Sequence, residues 1–307
     1  MPLNTYQKTA LTTVGAVIFL IFVGGLVRAA GAGLGCPDWP KCFGVWIPPT
    51  SAAELPAGFD ATEFNVWKTW TEYVNRLVGV VIGLLITATF LLSFRYRREK
   101  PAVLWSSAAA FVLVLVQGWL GGRVVETGLD EWLITLHMML AMLIMLVLIY
   151  AVFRAMGDRL DFSFELSTST WRRLYGISLA VLLLTAFQLV LGTQVREAVD
   201  VIKNAEMVPP RGEWISMIGT VDEIHRTFSW TLFLGGGYLF WLTGWKTSSR
   251  LLSRLGMAIF GVILMQIALG AGLYYLGMPP AFQVLHLTGI AIMVALEFLL
   301  VMVLKLP

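Results

Sequence analysis

The chain contains three histidines, His137, His225 and His286, and each lies near one end of an apolar segment. A histidine about five residues inside a membrane helix lies roughly 8 Å below the surface. Polar side chains at that depth are costly and usually functional. Imidazole is a good axial ligand for haem iron, and bundle cores commonly hold cofactors. The pattern predicts haem sites near one membrane face; hydrogen bonding between helices is the alternative.

Matched motifs in the same order indicate an internal repeat. The matched segments are 24–28 with 192–196 (Gly-x-x-Val-Arg), 72–76 with 222–226 (acid-x-x-Asn/His-Arg), and 117–137 with 266–286 (Gln to His). Both halves begin on the same side of the membrane, so the repeat is parallel rather than inverted.

The repeat divides the histidines unequally. His225 and His286 could clamp one haem from both faces. The first half offers His137, because the position that matches His225 is Asn75. Asparagine is a poor iron ligand, so a haem in the first half is expected to be five-coordinate or to use another group. This asymmetry suits one electron-transfer haem and one reactive haem.

Four arginines are predicted at outer helix ends. They are Arg28, Arg76, Arg196 and Arg226. Guanidinium groups bind carboxylates in a bidentate way, and the positive-inside rule disfavours arginine on the outer side. We therefore expect these arginines to bind haem propionates; snorkelling to lipid headgroups is the alternative.

Glu72 is the candidate catalytic residue. It lies one turn before Asn75 on the same helix face. A carboxylate there could reach the haem edge or the open side of the iron and could move protons. The alternative is a first-turn acid that complements the helix dipole, and Asp222 at the matching position favours such a shared structural role.

Cys36 and Cys42 are the two cysteines of the chain and flank Pro-Asp-Trp-Pro-Lys in the first outer loop. An oxidising exterior favours a disulfide, and its short loop gives a modest entropic gain. A redox-active pair is the alternative. A metal site is not expected from two thiols without a nearby histidine.

The scaffold for these side chains is predicted to be a membrane bundle. The chain of 307 residues is 58% hydrophobic and 13% charged, whereas a soluble domain is about a quarter charged. Charge-free runs long enough to cross about 30 Å of hydrocarbon occur at 9–27, 77–94, 101–122, 132–153, 174–195, 227–245 and 255–296. The last run breaks at Gly-Met-Pro-Pro, 277–280, because proline stops a helix. The predicted fold is an all-α integral membrane protein with eight transmembrane helices in two pseudo-symmetric four-helix bundles.

Basic residues set the expected orientation. They cluster at 95–100, 154–173, 246–254 and 305. By the positive-inside rule these segments are cytoplasmic, so both termini are expected inside and the haem sites near the periplasmic face of the inner (plasma) membrane. The first segment is expected to be a retained helix rather than a cleaved signal peptide. The expected organisation is an N-terminal bundle at 1–155, a cytoplasmic linker at 156–170, and a C-terminal bundle at 171–307.

The chain resembles the haem A synthase family over nearly its whole length. The resemblance rests on the segments 24–28, 32–44, 72–76, 117–137, 222–226 and 266–286. The Cys-Pro-Asp-Trp-Pro run within 32–44 is the most specific of these. The acid-x-x-His/Asn-Arg motifs are weak alone and strong in tandem.

The resemblance implies a membrane oxidoreductase that oxidises the C8 methyl group of haem O to the formyl group of haem A, for cytochrome oxidase biogenesis. It implies a haem b between His225 and His286, and haem O or haem A as substrate or product at His137. It also implies a catalytic role for Glu72 and a disulfide that closes the loop 36–42.

One position departs from the family pattern, since Asn75 stands where the family has histidine. The substrate haem would then have one protein imidazole, from His137. Our hypothesis is that the reaction runs on a five-coordinate haem, because Glu72, Arg76 and the cysteine loop are retained.

Two other functions compete with this interpretation. One is a non-catalytic membrane cytochrome b that carries electrons, although such carriers place bis-histidine haems near both faces. The other is a membrane thiol oxidoreductase using the two cysteines, which would need a quinone site and usually a second thiol pair. The expected partners are haem O, membrane lipid and an unidentified electron partner. Haem O synthase, oxidase assembly factors and a second copy of the chain are candidates, and nucleic acid is not expected.

Overall fold

The computed structural model describes residues 2–157, 166–203, 205 and 207–305. Within these residues the chain forms nine α-helices and no β-strand. The helices are α1 (Thr5–Ala29), α2 (Val66–Ser93), α3 (Pro101–Glu126), α4 (Glu131–Met156), α5 (Thr168–Lys203), α6 (Trp214–Ile218), α7 (Thr220–Trp245), α8 (Arg250–Tyr275) and α9 (Pro280–Lys305). The predicted all-α class is confirmed.

Among the described helices, seven are long and apolar enough to cross a membrane: α1 to α5, α8 and α9. The chain is therefore a multi-pass membrane protein. Helix α7 is less apolar because it carries acids and an arginine near its start, three tryptophans and the run Gly235-Gly236-Gly237. An eighth crossing by α7 stays a prediction.

Short polar side chains begin four of the long helices. Asn4, Asn65, Asp130 and Ser249 each accept a hydrogen bond from a main-chain N–H of the first turn of α1, α2, α4 and α8. Such caps satisfy donors that a helix start leaves without a partner. Because the Asn65 cap starts α2 early, Glu72 does not open the helix as the sequence pattern suggested.

Residues Met1–Asp158 form one compact unit. Helices α1 and α3 each pack against both α2 and α4. Buried polar groups join them at the end where the chain begins: the Tyr6 hydroxyl lies 2.9 Å from that of Ser107, and Gln7 Nε2 donates to the main-chain oxygen of Ala155 at 2.9 Å. These bonds satisfy polar groups that would otherwise be costly among apolar helices.

Residues Arg159–Pro307 form the second unit. Helices α5 and α8 each pack against both α7 and α9. Inside this unit the carboxylate of Glu297, which is 1% exposed, accepts a hydrogen bond from the Thr185 hydroxyl at 3.0 Å.

The predicted end of the fifth long helix at 192–196 is wrong, because α5 continues to Lys203. Val199 and Ile202 lie on one face of the extension and are buried against Trp214 and Ile218 of α6. This apolar contact, on a short helix that the sequence pattern did not reveal, stabilises the additional turns.

The expected linker at 156–170 includes the last residue of α4 and the first three residues of α5. Residues 158–165 lie outside the described residues, so this linker and its cytoplasmic location stay predictions.

Candidate functional sites

In the C-terminal unit, His225 of α7 and His286 of α9 face each other. Their ring centroids are 6.5 Å apart and the ring planes are inclined by 67°. Imidazole nitrogen binds first-row metals at about 2.0–2.1 Å, as in zinc sites, so two opposite ligands place their nitrogens about 4 Å apart and their ring centres about 6.5 Å apart. The observed spacing therefore fits one metal ion between the two rings.

All three histidines bury the same ring nitrogen, Nδ1. Nδ1 of His137, His225 and His286 is buried without a hydrogen-bond partner, whereas Nε2 is not among the buried unpartnered atoms. Each ring is partly exposed. Because Nδ1 is buried, we expect Nε2 to be the nitrogen that binds a ligand.

The described residues contain no cluster of three or more His, Cys, Asp or Glu side chains that could hold a metal ion. A metal bound by one or two imidazoles here would need further ligands. The pyrrole nitrogens of haem supply them, so the donor set fits haem iron with His225 and His286, and with His137 alone.

In the N-terminal unit, His137 lies on α4, and Glu72 and Asn75 lie on α2. Glu72 is 6% exposed, and the Asn75 side-chain amide faces its carboxylate. No acid lies in the first turn of α2, and the helix dipole acts mainly within that turn. The dipole explanation therefore suits Asp222, which is in the first turn of α7, better than it suits Glu72.

Arg76 joins Glu72 to the first outer loop. Its Nε donates to Oε1 of Glu72 at 2.9 Å. Nη1 donates to the main-chain oxygens of Asp38 at 2.7 Å and Lys41 at 2.8 Å, and Nη2 donates to that of Cys36 at 3.3 Å. One guanidinium therefore fixes both the candidate catalytic carboxylate and the main chain of the loop.

The predicted disulfide between Cys36 and Cys42 is confirmed. We call residues 36–42 the disulfide loop. Just before it, the Thr69 hydroxyl donates to the main-chain oxygen of Gly35 at 2.9 Å. A Cβ atom at Gly35 would lie 2.1 Å from the main-chain oxygen of Lys68, so glycine is required for this close approach to α2.

The other side of the disulfide loop rests on α3. A Cβ atom at Gly122 would lie 2.8 Å from the indole ring of Trp39. The preceding residue, Gly121, faces the ring of His137, since a Cβ there would lie 3.2 Å from Cε1 of that histidine. The loop thus covers the end of α3 next to His137.

The other three arginines that were expected to bind haem propionates differ in their surroundings. Arg226 pairs with Asp222 at 2.8 Å and lies over the ring of Tyr274, 4.6 Å from its centroid. Arg196 pairs with Asp200 at 2.7 Å. Arg28 lies in the last turn of α1. Binding of propionates by these arginines stays a prediction.

The glutamines of the repeat contact the helices that carry the histidines. Gln117 and Gln266 donate to the main-chain oxygens of His137 and His286 at 3.0 and 2.9 Å. The sequence interpretation missed a third glutamine, which makes the same contact to His225: Gln188 donates at 2.9 Å. The signal was a glycine four residues after each glutamine, at 121, 192 and 270.

The chain is similar to known membrane proteins along most of its length. The family model described as cytochrome oxidase assembly protein (COX15-CtaA) matches residues 7–298. A protein named Heme A synthase from Ruegeria pomeroyi is 27% identical over 88% of this chain and 80% of its own length. Proteins of the same name from Caulobacter vibrioides (27% identical, 93% and 92% covered) and Shewanella oneidensis (22% identical, 90% and 89% covered) also match.

Proposed function

The chain belongs to the cytochrome oxidase assembly protein family, and on this premise we propose that it oxidises the C8 methyl group of haem O to the formyl group of haem A. The observation that carries the proposal is the match to relatives named Heme A synthase, which covers 88% of this chain for one and 93% for another. The reaction replaces two C–H bonds with a C=O bond, which is a four-electron oxidation with insertion of one oxygen atom, so it requires an oxygen source, water or dioxygen, and an acceptor for the four electrons.

We propose that the C-terminal unit holds haem b between His225 and His286. The 6.5 Å ring separation supports this assignment, as do the buried Nδ1 atoms that leave Nε2 for iron. When bound, haem b supplies one-electron transfer. His225 and His286 would hold this haem, and the contacts of Gln188 and Gln266 to the histidine main chains would orient the two imidazoles.

The substrate haem is assigned to His137 in the N-terminal unit. Glu72 is the residue that would hold or accept a proton beside this haem, because it is a buried carboxylate fixed by Arg76 at 2.9 Å. Asn75 faces the carboxylate rather than supplying a second imidazole. His137 would be the one histidine of this unit to hold the substrate haem.

The four arginines Arg28, Arg76, Arg196 and Arg226 are proposed to bind propionates. Arg226 is the best placed, because it is 47% exposed and adjoins His225 in sequence. Arg76 already donates to three loop oxygens, so any propionate contact would share its guanidinium with the disulfide loop.

The proposed arrangement is eight membrane crossings in two pseudo-symmetric four-helix bundles, at 1–155 and 171–307, joined by a cytoplasmic linker. The basic clusters favour cytoplasmic termini and haem sites near the periplasmic face of the inner membrane. Proposed partners are haem O, lipid, an electron donor or acceptor, haem O synthase, oxidase assembly factors and a second copy of the chain.

A membrane cytochrome b that carries electrons is the second candidate, because the facing histidines on α7 and α9 favour a bis-histidine haem.

The two functions are separated by producing the chain in cells that make haem O, then extracting and chromatographing the haems of the purified protein. The proposal expects haem A together with haem B, whereas haem B alone would favour the electron carrier. His137→Ala should abolish haem A and retain haem B. His286→Ala should remove haem B from the purified protein.

A further inference from the structure

A glutamine and the glycine four residues after it lie against each histidine of the chain. We call each such pair a histidine seat. The seats are Gln117 with Gly121 on α3 against His137, Gln188 with Gly192 on α5 against His225, and Gln266 with Gly270 on α8 against His286. Residues four apart share a helix face, so each seat presents both members to one neighbouring helix.

The glutamine of each seat fixes the main chain of the histidine. Its Nε2 donates to the main-chain oxygen of the histidine itself, at 3.0 Å for His137 and 2.9 Å for His225 and His286. A bond to that particular oxygen sets the height and rotation of the helix at the residue that would bind iron.

The glycine of each seat makes room for the imidazole. A Cβ atom would lie 3.2 Å from Cε1 of the histidine at Gly121 and at Gly192, and 3.7 Å from it at Gly270. The first two distances are too short for an alanine without movement of the ring, whereas the third is an ordinary contact. Close packing against Gly121 and Gly192 therefore restricts the orientation of the His137 and His225 rings.

Each seat also buries polar atoms of its histidine and of its glutamine. Nδ1 of all three histidines and Oε1 of all three glutamines are buried without a partner. The ring of His286 interacts with the main-chain carbonyl of Gln266, although Nδ1 does not reach hydrogen-bonding geometry. An imidazole that binds iron through Nε2 carries its proton on Nδ1, and metal-bound histidines almost always donate that proton.

The fourth position of the repeat lacks both the histidine and its seat. The residues of α1 that match Gln188 and Gly192 are Leu20 and Gly24. Apart from neighbouring residues and the backbone of α1 itself, no atom of the described residues lies within 4 Å of a Cβ built at Gly24. The residue of α2 that matches His225 is Asn75. At this fourth position the chain therefore lacks both the imidazole and the glutamine that would position it.

We infer that Gln117, Gln188 and Gln266 are positioning residues for haem ligation, because each holds the main chain of a histidine that would bind iron. This inference rests on the proposed haem sites. The seats of His225 and His286 act on haem b, and the seat of His137 acts on the substrate haem.

The inference is tested on the full-length protein, purified with haem b, through the midpoint potential and low-spin electron paramagnetic resonance signal of that haem. Gln188→Leu and Gln266→Leu remove the hydrogen bond to the main chain of the histidine, so the imidazole should lose its fixed orientation, which should shift the resonance signal and the midpoint potential. A tenfold change in the ferric-to-ferrous preference corresponds to about 59 mV for one electron. Gln117→Leu should leave haem b unchanged.

Gln7→Leu is the matched control, because Gln7 is 3% exposed and donates to a main-chain oxygen of α4 at 2.9 Å without a histidine. It should leave the potential and the resonance signal unchanged. Wild-type values in both Gln188→Leu and Gln266→Leu would overturn the inference. Wild-type protein without haem b would instead contradict the proposed function.

If the glutamine variants fail to fold, alanine substitutions at two of the glycines test the inference. Gly192→Ala should shift the resonance signal of haem b, because the added Cβ lies 3.2 Å from the ring of His225. Gly270→Ala should not, because the distance to His286 is 3.7 Å. Equal spectra for both variants would contradict a positioning role of the seats.

Discussion

Arg76 donates from Nε to Oε1 of Glu72 at 2.9 Å and, with its other nitrogens, to main-chain oxygens of the disulfide loop. The candidate catalytic carboxylate and the loop that covers its unit are thus held by one side chain. Movement of the loop and reorientation of Glu72 are expected to occur together.

Arg76→Gln should release the disulfide loop and lower haem A formation. Hydrogen bonds from charged groups contribute about 1.5–3 kcal/mol each, so losing several should raise the population of the open loop. The main-chain oxygen of Lys41 accepts from Arg76 at 2.8 Å, which makes the rate of trypsin cleavage after Lys41 a direct measure of loop opening.

The matched control for the lost ion pair is Glu126→Gln, which breaks the exposed pair with Arg123. Exposed pairs contribute about 0–1 kcal/mol, so this variant should keep the wild-type cleavage rate and haem A yield. An unchanged cleavage rate in Arg76→Gln would show that the loop does not depend on the guanidinium.

Gly122→Ala should displace the disulfide loop from α3. The added Cβ would lie 2.8 Å from the indole ring of Trp39, and such overpacking costs about 1–3 kcal/mol. We expect a lower thermal midpoint of the purified protein and reduced haem A formation. Gly118→Ala is the control on the same helix, because no atom lies within 4 Å of its Cβ position; it should be neutral or stabilising by up to about 1 kcal/mol.

Glu72→Gln should retain the shape of the side chain and lose its ability to take up a proton. General acid–base groups contribute about 10²–10⁴-fold to rates, so haem A formation should fall within that range while the haem B content stays constant. Asp222→Asn is the matched change in the C-terminal unit, where the acid also pairs with an arginine one turn later. It should retain haem A formation, and equal losses in both variants would indicate a structural role for both acids.

The helices, the histidine-bearing segments and the disulfide could be predicted because they depend on local patterns. Charge-free runs predict long apolar helices, and two cysteines separated by five residues on an oxidising side favour pairing. Helix α6 and the extension of α5 could not be predicted, because Val199 and Ile202 become an apolar contact only once Trp214 is placed beside them.

The contacts of the site were harder to predict for the same reason. The partners of Arg76 are main-chain oxygens of a distant loop, and main-chain oxygens have no sequence signature. Gln188 did have one, since a glycine follows it at the same interval as in the other two seats. The interval could be interpreted only with the structure, in which all three glutamines donate a hydrogen bond to a histidine carbonyl.

Asn75→His should restore the missing imidazole without restoring its orientation. Leu20 and Gly24 of α1 provide no amide for the α2 main chain and no close packing for a ring. The single variant should therefore give a mixture of high-spin and low-spin signals from haem in the N-terminal unit. Adding Leu20→Gln creates the fourth seat and should increase the low-spin fraction.

Leu20→Gln alone is the control, and it should leave the spectrum of the N-terminal haem as in the wild type, because Asn75 supplies no ring for the new glutamine to orient. The absorption and paramagnetic resonance spectra of the three variants, recorded in His286→Ala protein so that haem b does not interfere, provide the measurement. If Asn75→His reached the same low-spin fraction with and without Leu20→Gln, imidazole alone would suffice, and the absence of a seat in α1 would have no bearing on ligation.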